Sequence, residues 1–80
     1  MPDLDAIVNL CDLSPGEEGR IAYIRPKNHA RLHRLTGFGI VPGVTVKLHQ
    51  TYPAFCLKFE ETELAIDPDV AEDIFVSRIG

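Results

Sequence analysis

Apolar and polar residues alternate along Val44, Val46 and Leu48, with Thr45, Lys47 and His49 between them. A period of two sends successive side chains to opposite faces, so Val44–His49 predicts a half-buried strand. The same signature returns at Phe55, Leu57 and Phe59, interleaved with Cys56 and Lys58. A tight connection at Glu60-Glu61-Thr62 leads back through Leu64 and Ile66, which share a face. Upstream, Ile21, Ala22, Tyr23 and Ile24 form a first strand near Arg20–Arg25, stopped by Pro26 because proline has no N–H for a ladder. Ile74, Val76 and Ile79 carry the last extended segment. The pattern predicts five short strands.

One segment breaks this period. Leu32 and Leu35 sit three apart and face one way, while Arg31, His33 and Arg34 face water, which is the spacing of a short amphipathic helix. Asn28 is placed to cap its start. Gly37 suits the left-handed position that ends a helix, and Pro42-Gly43 supplies the tight turn into the next strand. Asp67-Pro68-Asp69 reads as a second helix start, with a capping carboxylate and a proline where no donor is missed. That helix lasts a turn, because the extended pattern soon resumes. Residues 1–12 carry the weakest pattern: Leu4, Ile7 and Val8 form one amphipathic turn or a linker that leans on the body. Short connections imply antiparallel pairing, and strands with one apolar face each close most economically into a small barrel. The expected fold is mainly β: a five-stranded, partly open antiparallel barrel over residues 13–80, with a lead-in over residues 1–12.

Composition narrows the function. Eighty residues, 45% of them apolar, allow one domain with one modest core and leave little for a substrate chamber. A net charge of −4 argues against nucleic acid, whose binding depends on Lys and Arg displacing counterions from phosphate. No apolar run approaches the ~20 residues of a bilayer span, so membrane insertion is not expected. Two cysteines without a secretory signal are read as reduced thiols, which places the protein in the cytoplasm.

The order of elements resembles the FeoA-type SH3-like domain of ferrous iron uptake. The matching residues are Leu13-x-Pro-Gly-x-x-Gly-Arg-Ile21 and Arg31-Leu-x-x-Leu-x-x-x-Gly-Ile-x-Pro-Gly43, then Leu64-Ala-Ile66 and Ala71-x-x-Ile-x-Val76. The resemblance covers roughly residues 10–78 and implies an SH3-like barrel that works by binding. Its partner would be the GTPase-linked permease FeoB, met on the cytoplasmic side of the membrane, and the domain would catalyse nothing itself. The same barrel is similar to the carboxy-terminal domain of diphtheria-toxin-repressor-type metal-dependent regulators, where it packs against the metal-sensing domain. The chain departs from the FeoA pattern at Glu60-Glu61-Thr62, where the family usually carries glycine. Its long lead-in and the Leu48–Ala54 segment look more like a repressor tail.

Candidate site residues follow from these readings. Phe38 and Phe75, if exposed beside Leu35 or Ile40, form the expected partner-binding patch, since exposed apolar clusters mark interaction surfaces; the plainer reading of each alone is that it finishes the small core. His29 and His33 lie four apart on the predicted helix and form half of a transition-metal site. No third ligand is adjacent in sequence, so solvated surface histidines are the plainer reading and no metal or cofactor is expected. Cys11 and Cys56 lack a neighbouring base for nucleophilic chemistry. The acidic run Glu60, Glu61, Glu63, Asp67, Asp69, Glu72 and Asp73 lacks the glycine-containing loop of a calcium site and reads as a soluble sheet edge. Unpaired edge strands would also let two copies of the chain pair as a homodimer.

Overall fold

A computed structural model describes residues 7–79, apart from the side chain of Arg31. The strands are β1 (Ile7–Asn9), β2 (Glu18–Ile24), β3 (Thr45–Gln50), β4 (Phe55–Phe59), β5 (Thr62–Ile66) and β6 (Ile74–Ile79). A 3₁₀ turn at Leu10–Asp12 follows β1, helix α1 (His29–Phe38) follows β2, and helix α2 (Pro68–Ala71) precedes β6. All strand pairs are antiparallel, and the order across the single open sheet is β1-β6-β2-β3-β4-β5. The curled sheet is a small SH3-like barrel, mainly β as expected.

The sheet has six strands where the pattern predicts five. The additional strand is β1, which pairs with β6 through Ile7↔Ser77, Val8↔Val76 and Asn9↔Phe75. Ile7 and Val8 are thus extended and do not form a helical turn; the expected place of Leu4 in that turn lies outside the described residues. A three-residue edge strand is too short to show periodicity, and the partner that orders it lies at the far end of the chain. Asn9 fastens the junction. Its side chain accepts the Cys11 N–H at 2.9 Å and donates to the Glu72 carbonyl at 2.7 Å, while Asp12 accepts the Asn9 N–H at 3.2 Å. This seats Leu10, fully buried, in the core.

The connection from α1 to β3 is closed by main-chain bonds. Ile40 N–H donates to the Leu35 carbonyl at 3.0 Å and Gly39 N–H to the Thr36 carbonyl at 3.0 Å, the paired bonds of a Schellman stop. The left-handed residue is Gly39, at φ +95°, two positions after the Gly37 that the sequence suggests. The stop at Gly39 lets Ile40 bond back to Leu35 and join it in the core cluster. Both are buried, at 2% and 0% exposure. Gly43, at φ +98°, then completes the Val41–Val44 turn, with Val44 N–H donating to the Val41 carbonyl at 3.2 Å. Ile21 and this turn exchange bonds: Gly43 N–H donates to the Ile21 carbonyl and Ile21 N–H to the Val44 carbonyl, both at 2.8 Å.

The core is one cluster in which Leu10, Leu13, Ile21, Leu48, Leu57 and Ile74 join Leu35 and Ile40. Inner-face positions of β3 and β4 are buried at Val46, Leu48, Phe55, Leu57 and Phe59, as the alternation predicts. At α2, Pro68 occupies the first turn and the Asp67 carbonyl accepts the Val70 and Ala71 N–H groups at 2.9 and 3.0 Å. The Asp67 carboxylate makes no capping bond, contrary to expectation.

Two substitutions test this packing. A Cβ on Gly19 would lie 2.9 Å from Val76 Cγ2 on the neighbouring strand, too close for any real contact. Gly19→Ala should cost about 1–3 kcal/mol in urea unfolding, and less in a Val76→Ala background that opens the space. Glu60 opens the two-residue β4–β5 hairpin at φ +56°, a conformation that strains any residue with a Cβ. Glu60→Gly should raise stability by about 1 kcal/mol, read as a higher unfolding midpoint at unchanged slope.

Candidate functional site

The four residues expected to make a partner patch do not form one. Leu35 and Ile40 are interior and already packed against each other and the sheet. Phe75 lies on the opposite face of β6 from Ile74 and Val76, where its ring stacks on Tyr23 at 4.8 Å between centroids with the planes 18° apart. Phe38 is 49% exposed at the last position of α1. It stands apart from Phe75, since one lines the helix side of the barrel and the other the outer face of the β1-β6-β2 strands.

Phe38 instead forms the lip of a groove of about 230 Å³ between α1 and the β5–α2 corner. One wall is Arg34 and Phe38 from α1, with Leu35 at the base; the other is Leu64, Ala65, Ile66, Asp67 and Val70. Inner-face residues of β5 build the second wall because β5 is an edge strand with no neighbour beyond it. Leu64 lies across from Leu57 and Ile66 across from Phe55, so the strand leans its apolar side toward the helix. Pro68 turns the chain immediately afterwards and sets Val70 beside Ile66. At about 230 Å³ the groove is smaller than the ~300–1,000 Å³ typical of small-molecule sites, a size that suits a few side chains.

Nothing in the alternation of Leu64 and Ile66 marked them as wall residues, because half-buried strands and groove walls share one pattern. Asp67 gave no signal either, since Asp-Pro-Asp reads as a helix cap and only the structure shows its carboxylate making no capping bond.

A second set of apolar residues lies on the outer side of β1, β6 and β2: Ile7 and Tyr23, at 46% and 40% exposure, with Phe75, and Ile79, at 38%, farther along β6 across from Glu18. Ile79 belongs here and not with Ile74 and Val76, since the odd spacing turns it to the other face. Tyr52 is 85% exposed in the loop between β3 and β4. On the outer face of the remaining strands, Glu18, Lys47, Lys58 and Glu63 lie side by side across four strands, a solvated row of alternating and like charge.

His29 and His33 are exposed on α1. No group of three or more His, Cys, Asp or Glu side chains capable of holding a metal occurs among the described residues. The acidic run is spread along the β4–β5 hairpin, β5 and α2, exposed except at Asp73, which is buried and whose carbonyl accepts the Arg25 N–H at 2.7 Å. Asp69 and Glu72 each approach Lys27, at 3.9 and 3.8 Å, exposed pairs that add at most about 1 kcal/mol each. Both cysteines are free thiols. Burial raises the Cys11 pKa, and the carboxylates of Glu72 and Asp12 push it the same way. No helix among the described residues is long and apolar enough to cross a membrane.

This fold and groove define a small SH3-like β domain with a side-chain-sized slot on its surface. The model of the FeoA domain family matches residues 8–78, and the chain belongs to that family. Among solved structures, an iron uptake regulatory protein (FeoA) aligns at a TM-score of 0.82 with 22% identity, covering 91% of this chain and 97% of that one. A FeoA-like protein from Clostridium acetobutylicum aligns at 0.80 with 18% identity over 91% of this chain and 87% of that one. T. acidophilum IdeR aligns at 0.87 with 26% identity over 92% of this chain and only 35% of the larger protein. No curated protein is similar enough in sequence to count as a match.

A raised thiol pKa leaves little thiolate near neutral pH, and the thiolate is the reactive form. Cys11 should therefore alkylate more slowly than an unstructured cysteine at pH 8, and Glu72→Gln should speed it, measured by mass spectrometry of iodoacetamide-treated protein. The sign for folding follows: the unfolded thiol ionises first as pH rises, so this contribution to stability is complete at low pH and is lost above the ordinary thiol range.

Proposed function

We propose that this chain is an accessory domain of ferrous iron transport that binds a FeoB-like permease on the cytoplasmic side of the membrane, with the α1/β5–α2 groove as the contact surface. The observation that carries the reading is the groove itself: in a chain that spends its apolar residues on one core, Phe38, Leu64 and Val70 stay accessible along one slot. Exposed apolar side chains cost solubility, and a partner that covers them recovers the hydrophobic free energy. Family membership over residues 8–78 supplies the context of iron uptake. The chain is read as having no reaction of its own.

A second reading is supported by the likeness to IdeR at 26% identity: the same unit serving as the SH3-like module of a metal-dependent repressor, covering its metal-sensing domain. The two differ in partner and share a surface logic.

The test is capture of a purified FeoB-type permease by the immobilised chain. Phe38→Asp places a charge at the groove lip without touching the core and should weaken capture at least about tenfold, equivalent to 1.4 kcal/mol. Tyr23→Asp, on the outer face, should leave it unchanged. Equal capture by all three proteins would remove the groove from the interaction.

A further inference from the structure

The groove is electrically two-sided. Its α1 wall carries Arg34, with His29 and His33 farther along the same helix; its β5–α2 wall carries Asp67. Next to that wall, α2 carries Asp69 and ends at Glu72, and no Lys or Arg occurs between Lys58 and Arg78. Lys27 reaches Asp69 and Glu72, at the α2 end. Asp67, one residue from the apolar floor at Ile66, neither caps α2 nor forms an ion pair with Arg34 across the groove.

We infer that the groove receives an amphipathic segment of the membrane partner whose apolar stripe is bordered by Lys or Arg on one side. The stripe would enter between Phe38, Leu64 and Val70 while the cationic border meets Asp67 and the acidic wall. Arg34 sets the direction, since it favours a carboxylate or the carbonyl end of a docked helix. This rests on the permease reading above and adds to it the chemistry of the segment recognised. Cytoplasmic segments flanking membrane spans are enriched in Lys and Arg, which supplies such a border. The same acidic wall and the net charge of −4 oppose adsorption to anionic lipid.

The experiment uses the whole chain and two labelled peptides of about four helical turns, one built from Leu and Lys and one from Leu and Glu in the same amphipathic pattern. Fluorescence anisotropy at near-physiological salt should show binding of the Leu/Lys peptide only. Asp67→Lys and Phe38→Ala should each weaken it at least about tenfold. Glu18→Lys changes net charge as much as Asp67→Lys but lies on the outer face beside Lys47, and should have little effect. Equal losses for Glu18→Lys and Asp67→Lys, or equal binding of the two peptides, would reduce the effect to bulk charge and overturn the inference. So would binding to phosphatidylglycerol vesicles through the same residues, or self-association that Asp67→Lys abolishes, which would assign the groove to lipid or to a second copy.

The two readings fail separately. If Phe38→Asp releases the permease while Asp67→Lys leaves the Leu/Lys peptide bound, groove docking stands and its cationic chemistry falls. If the peptide behaves as expected but permease capture ignores both substitutions, the chemistry of the groove stands and the partner falls.

Discussion

The reversal between Thr36 and Val44 holds this domain together. Two left-handed glycines, Gly39 and Gly43, bracket Ile40 so that the chain leaves α1, buries one side chain and enters β3 within a few residues. A Cβ at either glycine would oppose the backbone conformation that the main-chain bonds require. The same turn exchanges two bonds with Ile21, so the helix stop also fixes where β3 starts beside β2. Helix position, strand entry and the cover over Leu35 are therefore one device, and the groove inherits its helical wall from it.

Around that device the chain divides its apolar residues between interior and display. Most of the buried ones fill one core cluster. A small domain has a high ratio of surface to volume, so some large side chains must stay outside. Several of them gather: Phe38, Leu64 and Val70 line one slot, while Ile7, Tyr23, Phe75 and Ile79 share the opposite sheet face and Tyr52 lies exposed in the β3–β4 loop. The slot carries charge of both signs on facing walls, which gives it direction as well as stickiness. The second face has its aromatic pair already stacked, which satisfies part of its apolar area within the chain.

The family's motif is explained largely by packing. Leu13, Ile21, Leu35 and Ile40 are core, Gly39 and Gly43 serve the backbone, and Gly19 leaves room for Val76. These residues serve the fold, although Leu35 also forms the base of the groove, so the motif says more about packing than about the site. The candidate residues chosen from sequence show why. Leu35 and Ile40 are as apolar as any docking residue, but they sit where the helix stop folds them inward. Phe38 was named as an aromatic that an apolar patch could expose, and the residues it shares a groove with, Leu64 and Val70, lie some thirty residues along the chain.

What the sequence determined alone is everything governed by near neighbours: strand periodicity, the Pro-Gly turn, the proline-led start of α2 and the mainly β class. These depend on steric limits of one residue or bonds spanning a few, and such terms can be read from a short window. The choice of Gly39 over Gly37 as the stop, the pairing of Ile7 with Ser77 and the approach of α1 to the β5–α2 corner were decided by the tertiary structure. Each depends on burying a side chain against residues distant in sequence, a free energy that does not exist until the sheet has formed.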